Sequence, residues 1–111
     1  MVIKDEISKR EVEFVNLCHD HNVKYIYAFG SSTNDRFNFM TSDIDLLLEI
    51  EASDPVERGE KLMSLWDNLE SFFKRKVDLL TERSLHNPYL KKSIENTKVL
   101  IYDGTRREIF V

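Results

Sequence analysis

Two aspartates one residue apart, Asp43 and Asp45, are the residues of this sequence best suited to chemistry. The aliphatic residues around them favour a β-strand over residues 43–50. Side chains two positions apart share one face of a strand, which would place the two carboxylates about 6.6 Å apart. Paired carboxylates on one face are suitable ligands for a hard divalent cation.

A glycine-serine pair, Gly30-Ser31, lies upstream of the two aspartates and directly after a predicted strand at 23–29. Glycine tolerates tight turns and has no side chain to block an approaching group. Backbone N–H groups and a serine hydroxyl in such a turn can therefore come close to phosphate oxygens. Together with the aspartates, the pair suggests a site for a metal ion and a nucleotide.

A single Asp-x-Asp is weak evidence, because 20 of the 111 residues are acidic and solvent-facing strands often carry them. Asp43 and Asp45, however, interrupt an aliphatic run, where two carboxylates repel each other unless a cation lies between them. Asp78 is the one acidic residue in another apolar segment, at 76–81. A neighbouring strand there could add a third carboxylate to the same face.

The elements that must position these residues alternate along the chain. Ser8 and Glu11 have the form of a capping box within a helix predicted at 5–20. Asp54 and Pro55 begin a second helix with the clearest apolar stripe in the sequence. The other predicted elements are a short turn and loop at 31–42, strands at 76–81 and 99–102, and a short helix that begins at Asn87-Pro88. This order predicts an α/β (α+β) fold, with helices packed on a sheet.

Length and composition restrict the class of protein. A chain of 111 residues with 41% hydrophobic and 32% charged residues predicts one globular domain over residues 1–111. The net charge of −4 argues against a general nucleic-acid surface. The absence of a long apolar segment and of a signal-peptide pattern predicts a cytoplasmic protein without a membrane anchor.

The C-terminal segment, residues 103–111, leaves two alternatives open. Asp103-Gly104 can form a two-residue hairpin turn that would return residues 109–111 to the sheet. An apolar tail that meets a partner chain is equally compatible with the sequence. Possible homo- or hetero-oligomers follow from the second alternative.

Three motifs carry a resemblance to a known family: Phe-Gly-Ser at 29–31, Ser-Asp-Ile-Asp-Leu at 42–46 and Val-Asp-Leu-Leu at 77–80. In these motifs the chain resembles the DNA polymerase β-like nucleotidyltransferase superfamily. Within it, the chain is similar to the minimal nucleotidyltransferases (MNT) that serve as antitoxins beside HEPN-domain toxins. The resemblance spans about residues 23–102, which makes this range the expected core of the domain.

The resemblance implies a mixed sheet of about three to five strands and a catalytic triad that binds two Mg²⁺ ions. Asp43 and Asp45 would hold both ions and the triphosphate, and Asp78 would hold the ion that activates the attacking hydroxyl. The family reaction would transfer a nucleoside monophosphate, AMP from ATP, to a tyrosine of the HEPN toxin and release pyrophosphate.

The same resemblance implies that Gly30 and Ser31 cradle the outer phosphates, and we include Ser32 and Ser42 among the predicted nucleotide-binding residues. Residues 32–35 read Ser-Thr-Asn-Asp where relatives commonly carry an Arg-Ala-Arg-Gly-like segment. A second hypothesis is therefore a catalytically weak antitoxin, a binding module that occludes a toxin. A third, a small-molecule nucleotidyltransferase, is disfavoured because the chain leaves little room for an acceptor-binding domain.

Overall fold

The computed structural model describes residues 2–33 and 43–111, and for Ser31 and Ser32 it describes the backbone only. Four helices and five strands occur in these ranges. They are α1 Val2–Ser8, α2 Glu11–Asp20, β1 Val23–Ala28, β2 Ile44–Ile50, α3 Pro55–Phe73, β3 Val77–Leu80, α4 Pro88–Thr97, β4 Val99–Asp103 and β5 Glu108–Ile109. Short 3-10 helices follow β1 at Gly30–Thr33 and β3 at Glu82–Ser84. None of the helices in the described ranges combines the length and hydropathy of a membrane span.

The strands form one mixed sheet in the order β3-β2-β1-β4-β5. Strand β2 pairs with β3 in parallel, while β1–β2, β1–β4 and β4–β5 are antiparallel. A parallel neighbour requires a crossover connection, and α3 supplies it between β2 and β3. The predicted α/β class and the mixed sheet of up to five strands are therefore confirmed.

Helix α3 is the element that the sequence defines most completely. The Asp54 side chain accepts a hydrogen bond from the Val56 N–H at 3.2 Å, and Pro55 occupies the first turn. The helix ends before Lys74, whose φ of 54° is left-handed. Trp66 packs against the core, and its indole N–H donates to the Val77 carbonyl at 2.7 Å, which ties α3 to β3.

The prediction of one helix over residues 5–20 is wrong, because two helices occupy this segment. Ser8 ends α1, and α2 begins at Glu11 without a side-chain cap, so the proposed capping box is absent. Arg10, between the helices, donates to the Phe72 carbonyl and stacks on the Phe72 ring at 3.9 Å. This contact links the break between α1 and α2 to the end of α3. Helix propensity depends on residues close in sequence, so it does not predict such a contact.

The two faces of the sheet are covered unequally. One face packs against α1, α2 and α3. The core between this face and the helices contains buried residues of both, including Ile3, Ile7, Phe14, Cys18, Ile26, Ile44, Leu46, Leu48, Leu65, Leu69 and Ile101. On the other face, Ile94 of α4 packs with Phe29 and Leu47 in a smaller cluster. Because side chains alternate along β2, Asp45 shares the second face with Leu47. The candidate site therefore lies on the face that α4 covers.

The C-terminal segment folds back as a hairpin, which decides between the two alternatives for residues 103–111. Asp103 pairs with Glu108 and Tyr102 with Ile109. Residues 104–107 connect the two strands, and Arg107 among them has a φ of 51°. The loop therefore has four residues, two more than the predicted turn. The Phe110 N–H also donates to the Ile101 carbonyl at 2.9 Å, which extends the pairing by one bond.

Replacing Gly59 by alanine is expected to raise the free energy of unfolding by about 0.5–1 kcal/mol. Gly59 lies inside α3, and a Cβ built there meets no atom within 4 Å. The methyl group would therefore restrict the unfolded chain without a clash in the folded one. Urea denaturation of the two proteins measures the difference, and a lower midpoint for Gly59→Ala would contradict the open surroundings of this glycine.

Candidate active site

Asp45 and Asp78 are direct neighbours across the parallel pair β2–β3. The register pairs Ile44 with Val77, Asp45 with Asp78 and Leu46 with Leu79. Each aspartate is the polar residue between two aliphatic ones, which are buried on the opposite face. The expected third carboxylate thus lies on the same face as Asp45, beside it in the sheet.

Asp43 lies one residue before β2, so the strand predicted at 43–50 begins one residue later than expected. The Ile44 N–H donates to the Lys76 carbonyl at 3.1 Å, which brings the residues before the two strands together. There the Lys76 ammonium lies 3.8 Å from an Asp43 carboxylate oxygen. Asp43 thus has a protein cation as its neighbour at the edge of the carboxylate cluster.

Asp45 is the carboxyl group most affected by its surroundings. Its burial, then the charges of Asp78 and Asp43, and a side-chain hydrogen bond with Asp78 raise its pKa to about 6. All these effects disfavour the carboxylate form, because a half-buried negative charge is placed beside two others. Binding a cation among the three carboxylates would remove this repulsion.

In the metal-free protein, Asp45→Asn is expected to be more stable than the wild type at pH 8, with little difference at pH 4. A carboxyl whose pKa rises on folding from 3.8 to about 6 stabilises the folded state below its unfolded pKa. That contribution is lost as the pH rises through the folded pKa. Urea denaturation in EDTA from pH 4 to pH 8 measures it.

The control for this titration is Asp67→Asn, an exposed carboxylate on α3. This variant should show the same pH dependence as the wild type. If Asp45→Asn also follows the wild type at every pH, the three carboxylates do not repel one another as described.

The donor set fits a hard divalent cation, although its members are not yet arranged as a cage. Within residues 2–33 and 43–111, no three His, Cys, Asp or Glu side chains stand in a metal-holding arrangement. Asp43, which would complete the set, is paired with Lys76. All-oxygen ligands with a concentrated negative charge are nevertheless what Mg²⁺ binds in proteins. To bind an ion together with Asp45 and Asp78, Asp43 would have to exchange its lysine neighbour for that ion.

The glycine-serine turn lies against the carboxylates. The Phe29 N–H donates to the Asp45 carbonyl at 3.1 Å, so the chain leaves β1 beside Asp45. Gly30 then adopts a φ of +64°, and a Cβ there would lie 3.1 Å from an Asp45 carboxylate oxygen. Both the backbone conformation and the close approach require glycine. The turn continues as the 3-10 helix Gly30–Thr33.

The other predicted nucleotide-binding residues are located only in part. The backbone of Ser31 and Ser32 belongs to the 3-10 helix beside Asp45, which is where the sequence predicted a phosphate-binding turn. Ser42 lies outside the described residues. Contacts of these serines with a nucleotide remain predictions.

Thr97 is a residue of this site that the sequence did not reveal. Its hydroxyl accepts a hydrogen bond from the Gly30 N–H at 3.2 Å, across 67 positions of sequence. Thr97 is the last residue of α4. No motif marks it, because its role depends on how α4 packs on the sheet.

A cavity of about 530 Å³ lies elsewhere on the molecule, and Tyr25, Glu49, Glu82 and Arg83 are among its lining residues. It does not touch any of the described aspartates of the cluster. Glu49 follows Asp45 by four residues, which is about 13 Å along a strand. The cavity is therefore separate from the carboxylates that the sequence predicted as the site.

Residues 6–101 match the family model described as nucleotidyltransferase domain. A protein of Methanocaldococcus jannaschii that carries the name of a protein adenylyltransferase is 39% identical over 99 residues, which cover 89% of this chain and 94% of that protein.

Two solved structures are similar in fold. A minimal nucleotidyltransferase superposes with a TM-score of 0.67 at 24% identity, over 86% of this chain and 93% of that one. A chain of a toxin-antitoxin crystal structure with AMP-PNP superposes with a TM-score of 0.57 at 26% identity, over 85% of this chain and 73% of that one. The first likeness concerns the fold alone.

Proposed function

This chain belongs to the nucleotidyltransferase domain family and is a nucleotidyltransferase, and from that premise we propose that it transfers AMP from ATP to a hydroxyl group of a partner protein. Pyrophosphate is the leaving group. The nucleotidyl group passes from one oxygen to another, so the reaction consumes no oxidant or reductant.

The observation that supports this proposal best is the arrangement around Asp45. Asp78 lies opposite it in the parallel register, and Asp43 precedes it by two residues. Gly30 approaches its carboxylate so closely that only a glycine fits without adjustment. A carboxylate cluster beside a glycine turn is what the transfer of a phosphoryl-type group requires, since such catalysis depends on positioning and charge stabilisation.

In the proposed mechanism, Asp43, Asp45 and Asp78 would hold two Mg²⁺ ions. Such ions would neutralise charge on the triphosphate and lower the pKa of the attacking hydroxyl. Asp43 and Asp45 orient the α-phosphate and the leaving group, while Asp78 holds the acceptor side of the site. Gly30 would shape the turn in which Ser31 and Ser32, together with Ser42, would bind the outer phosphates.

ATP is the proposed donor on two grounds. The relative from Methanocaldococcus jannaschii is named for adenylyl transfer to proteins. The toxin-antitoxin structure with AMP-PNP pairs a chain of the same fold with an ATP analogue. In this chain, the backbone of the Gly30 turn lies next to Asp45, so it could meet a phosphate that a metal ion on Asp45 would bind.

The proposed acceptor is a tyrosine of a HEPN-domain toxin, for which this chain acts as the antitoxin. The resemblance of its motifs to the minimal nucleotidyltransferases and the likeness to the toxin-antitoxin chain support this partner. We also propose that residues 1–111 act as one domain, with its core at about 23–102 and the hairpin 103–111 completing the sheet. The reaction would take place in the cytoplasm, where ATP is available.

The test is incubation with ATP labelled at the α-phosphate, Mg²⁺ and a purified HEPN-domain protein. Labelled AMP should appear on a tyrosine of that protein, and mass spectrometry would locate it. The partner should remain unlabelled when Mg²⁺ is omitted. It should also remain unlabelled when the ATP carries its label at the γ-phosphate and not at the α-phosphate. Both controls distinguish adenylyl transfer from phosphorylation.

The same assay separates catalysis from simple occlusion of a toxin. The double variant Asp43→Asn/Asp45→Asn should fail both to label the partner and to neutralise it. If the wild type transfers no label and the double variant still neutralises the toxin, the protein acts as a binding module and the enzymatic proposal is wrong.

A further inference from the structure

The hydroxyl of Thr97 connects α4 with the turn that follows β1. It accepts from the Gly30 N–H at 3.2 Å and donates to the Ser93 carbonyl at 2.9 Å. These roles are fixed, because a backbone N–H can only donate and a hydroxyl carries one proton. Since that proton goes to Ser93, a lone pair of the hydroxyl is left for Gly30.

Helix α4 is a firm support for this hydrogen bond. Ile94, one turn before Thr97, is 1% exposed and packs with Phe29 and Leu47. Phe29 immediately precedes Gly30, so the helix contacts the turn through its core side chain and its C-terminal hydroxyl. A displacement of α4 would therefore be transmitted to the turn.

Two threonines form hydrogen bonds with the backbone N–H and carbonyl of Gly30. Thr97 receives the Gly30 N–H, and the Thr33 hydroxyl donates to the Gly30 carbonyl at 2.8 Å. At a φ of +64°, the backbone of Gly30 is held close to the Asp45 carboxylate. Its amide is thus occupied by the protein and shapes the turn without needing a contact to the ligand.

We propose that Thr97 is a positioning residue for nucleotide binding, which holds Gly30 so that the following turn meets the phosphates of ATP. This inference rests on the proposed function of the turn and assigns a new role to α4. Thr97 does not touch the reacting atoms. It acts through Gly30, and its removal should affect the binding of the nucleotide more than the chemical step.

The test compares Thr97→Val with Thr97→Ser. Valine keeps the shape of threonine but cannot accept the hydrogen bond, while serine keeps the hydroxyl. For Thr97→Val we expect the Kd of AMP-PNP with Mg²⁺ and the KM of ATP to rise about tenfold, because the Gly30 amide loses its partner. The kcat should change by less than about threefold. Thr97→Ser should restore both constants to near the wild-type values.

Two further measurements separate positioning from a general loss of structure. Amide hydrogen exchange of Gly30 should be faster in Thr97→Val than in Thr97→Ser or the wild type. The control Thr105→Val, which alters an exposed threonine in the β4–β5 loop, should leave exchange and binding unchanged. If Thr97→Val lowers only the melting temperature and leaves the Kd and KM unaltered, Thr97 is structural and the proposal is wrong.

Calorimetry with AMP-PNP needs no acceptor, so it distinguishes the failure of this inference from that of the proposed function. If the wild type binds AMP-PNP but labels no partner, the acceptor proposal fails while Thr97 is still tested. Equal binding by the wild type and Thr97→Val overturns the role of Thr97 alone. A wild type that does not bind AMP-PNP overturns both.

Discussion

Asp45→Asn is expected to lower the rate of AMP transfer by about a thousandfold, the largest functional effect of any single change considered for this chain. Asp78 lies opposite Asp45 in the register, Gly30 closely approaches the Asp45 carboxylate, and the charge of Asp43 also acts on it. Asparagine has nearly the same shape but no charge. The variant should therefore lose metal affinity without losing the fold.

The measurement is the initial rate of label transfer at saturating ATP, with the melting temperature recorded in parallel. Because the charge of Asp45 is unfavourable in the metal-free protein, Asp45→Asn should melt at a higher temperature than the wild type at pH 8. Inactivity with increased stability cannot be explained by unfolding. Asp67→Asn, an exposed change on α3, serves as the matched control and should keep full activity.

An activity within tenfold of the wild type in Asp45→Asn would contradict the assignment of this aspartate to the metal.

Gly30→Val is the second change for which we expect a large effect, a loss of about a hundredfold in kcat/KM for ATP. A residue with a Cβ at a φ of +64° costs about 1–2 kcal/mol in backbone strain, and β-branched residues are especially disfavoured there. In addition, the new Cβ would lie 3.1 Å from the Asp45 carboxylate oxygen. Relief of this contact would move either the turn or the Asp45 carboxylate.

Gly30→Ala should give a smaller loss in the same direction, because alanine shares the Cβ contact but lacks the branched methyl groups. Gly59→Ala, where a Cβ meets open space, is the matched control for a glycine replacement and should keep wild-type kinetics. Steady-state kinetics of the three variants measure the series. Wild-type kcat/KM in Gly30→Val would show that the turn does not take part in nucleotide binding.

Local sequence patterns were sufficient for most of the elements. The Asp54-Pro55 start and the apolar stripe of α3 were predictable because capping and periodicity depend on neighbours in sequence. The same reasoning failed at Ser8 and Glu11, where a capping-box pattern lies across a break. Arg10 makes that break favourable through its contact with Phe72, a residue 62 positions away.

The C-terminal hairpin was likewise predicted only in part. The Asp103-Gly104 pair predicted a turn, and Ile109 does return to the sheet. The loop is nevertheless four residues long, 104–107, because the register of β5 on β4 fixes where pairing resumes. A turn motif indicates that the chain reverses but leaves the register to the packing of the sheet.

For the site, the sequence by itself determined the chemistry on offer: Asp43 and Asp45 two positions apart, Asp78 in a second strand, and a glycine that permits a tight turn. Tertiary structure alone decided that Asp78 stands directly opposite Asp45, that Lys76 pairs with Asp43, and that Thr97 holds Gly30. Residue type and spacing follow from the chain locally, whereas register and helix docking depend on contacts between distant segments. Those contacts place Asp78 and Gly30 beside Asp45.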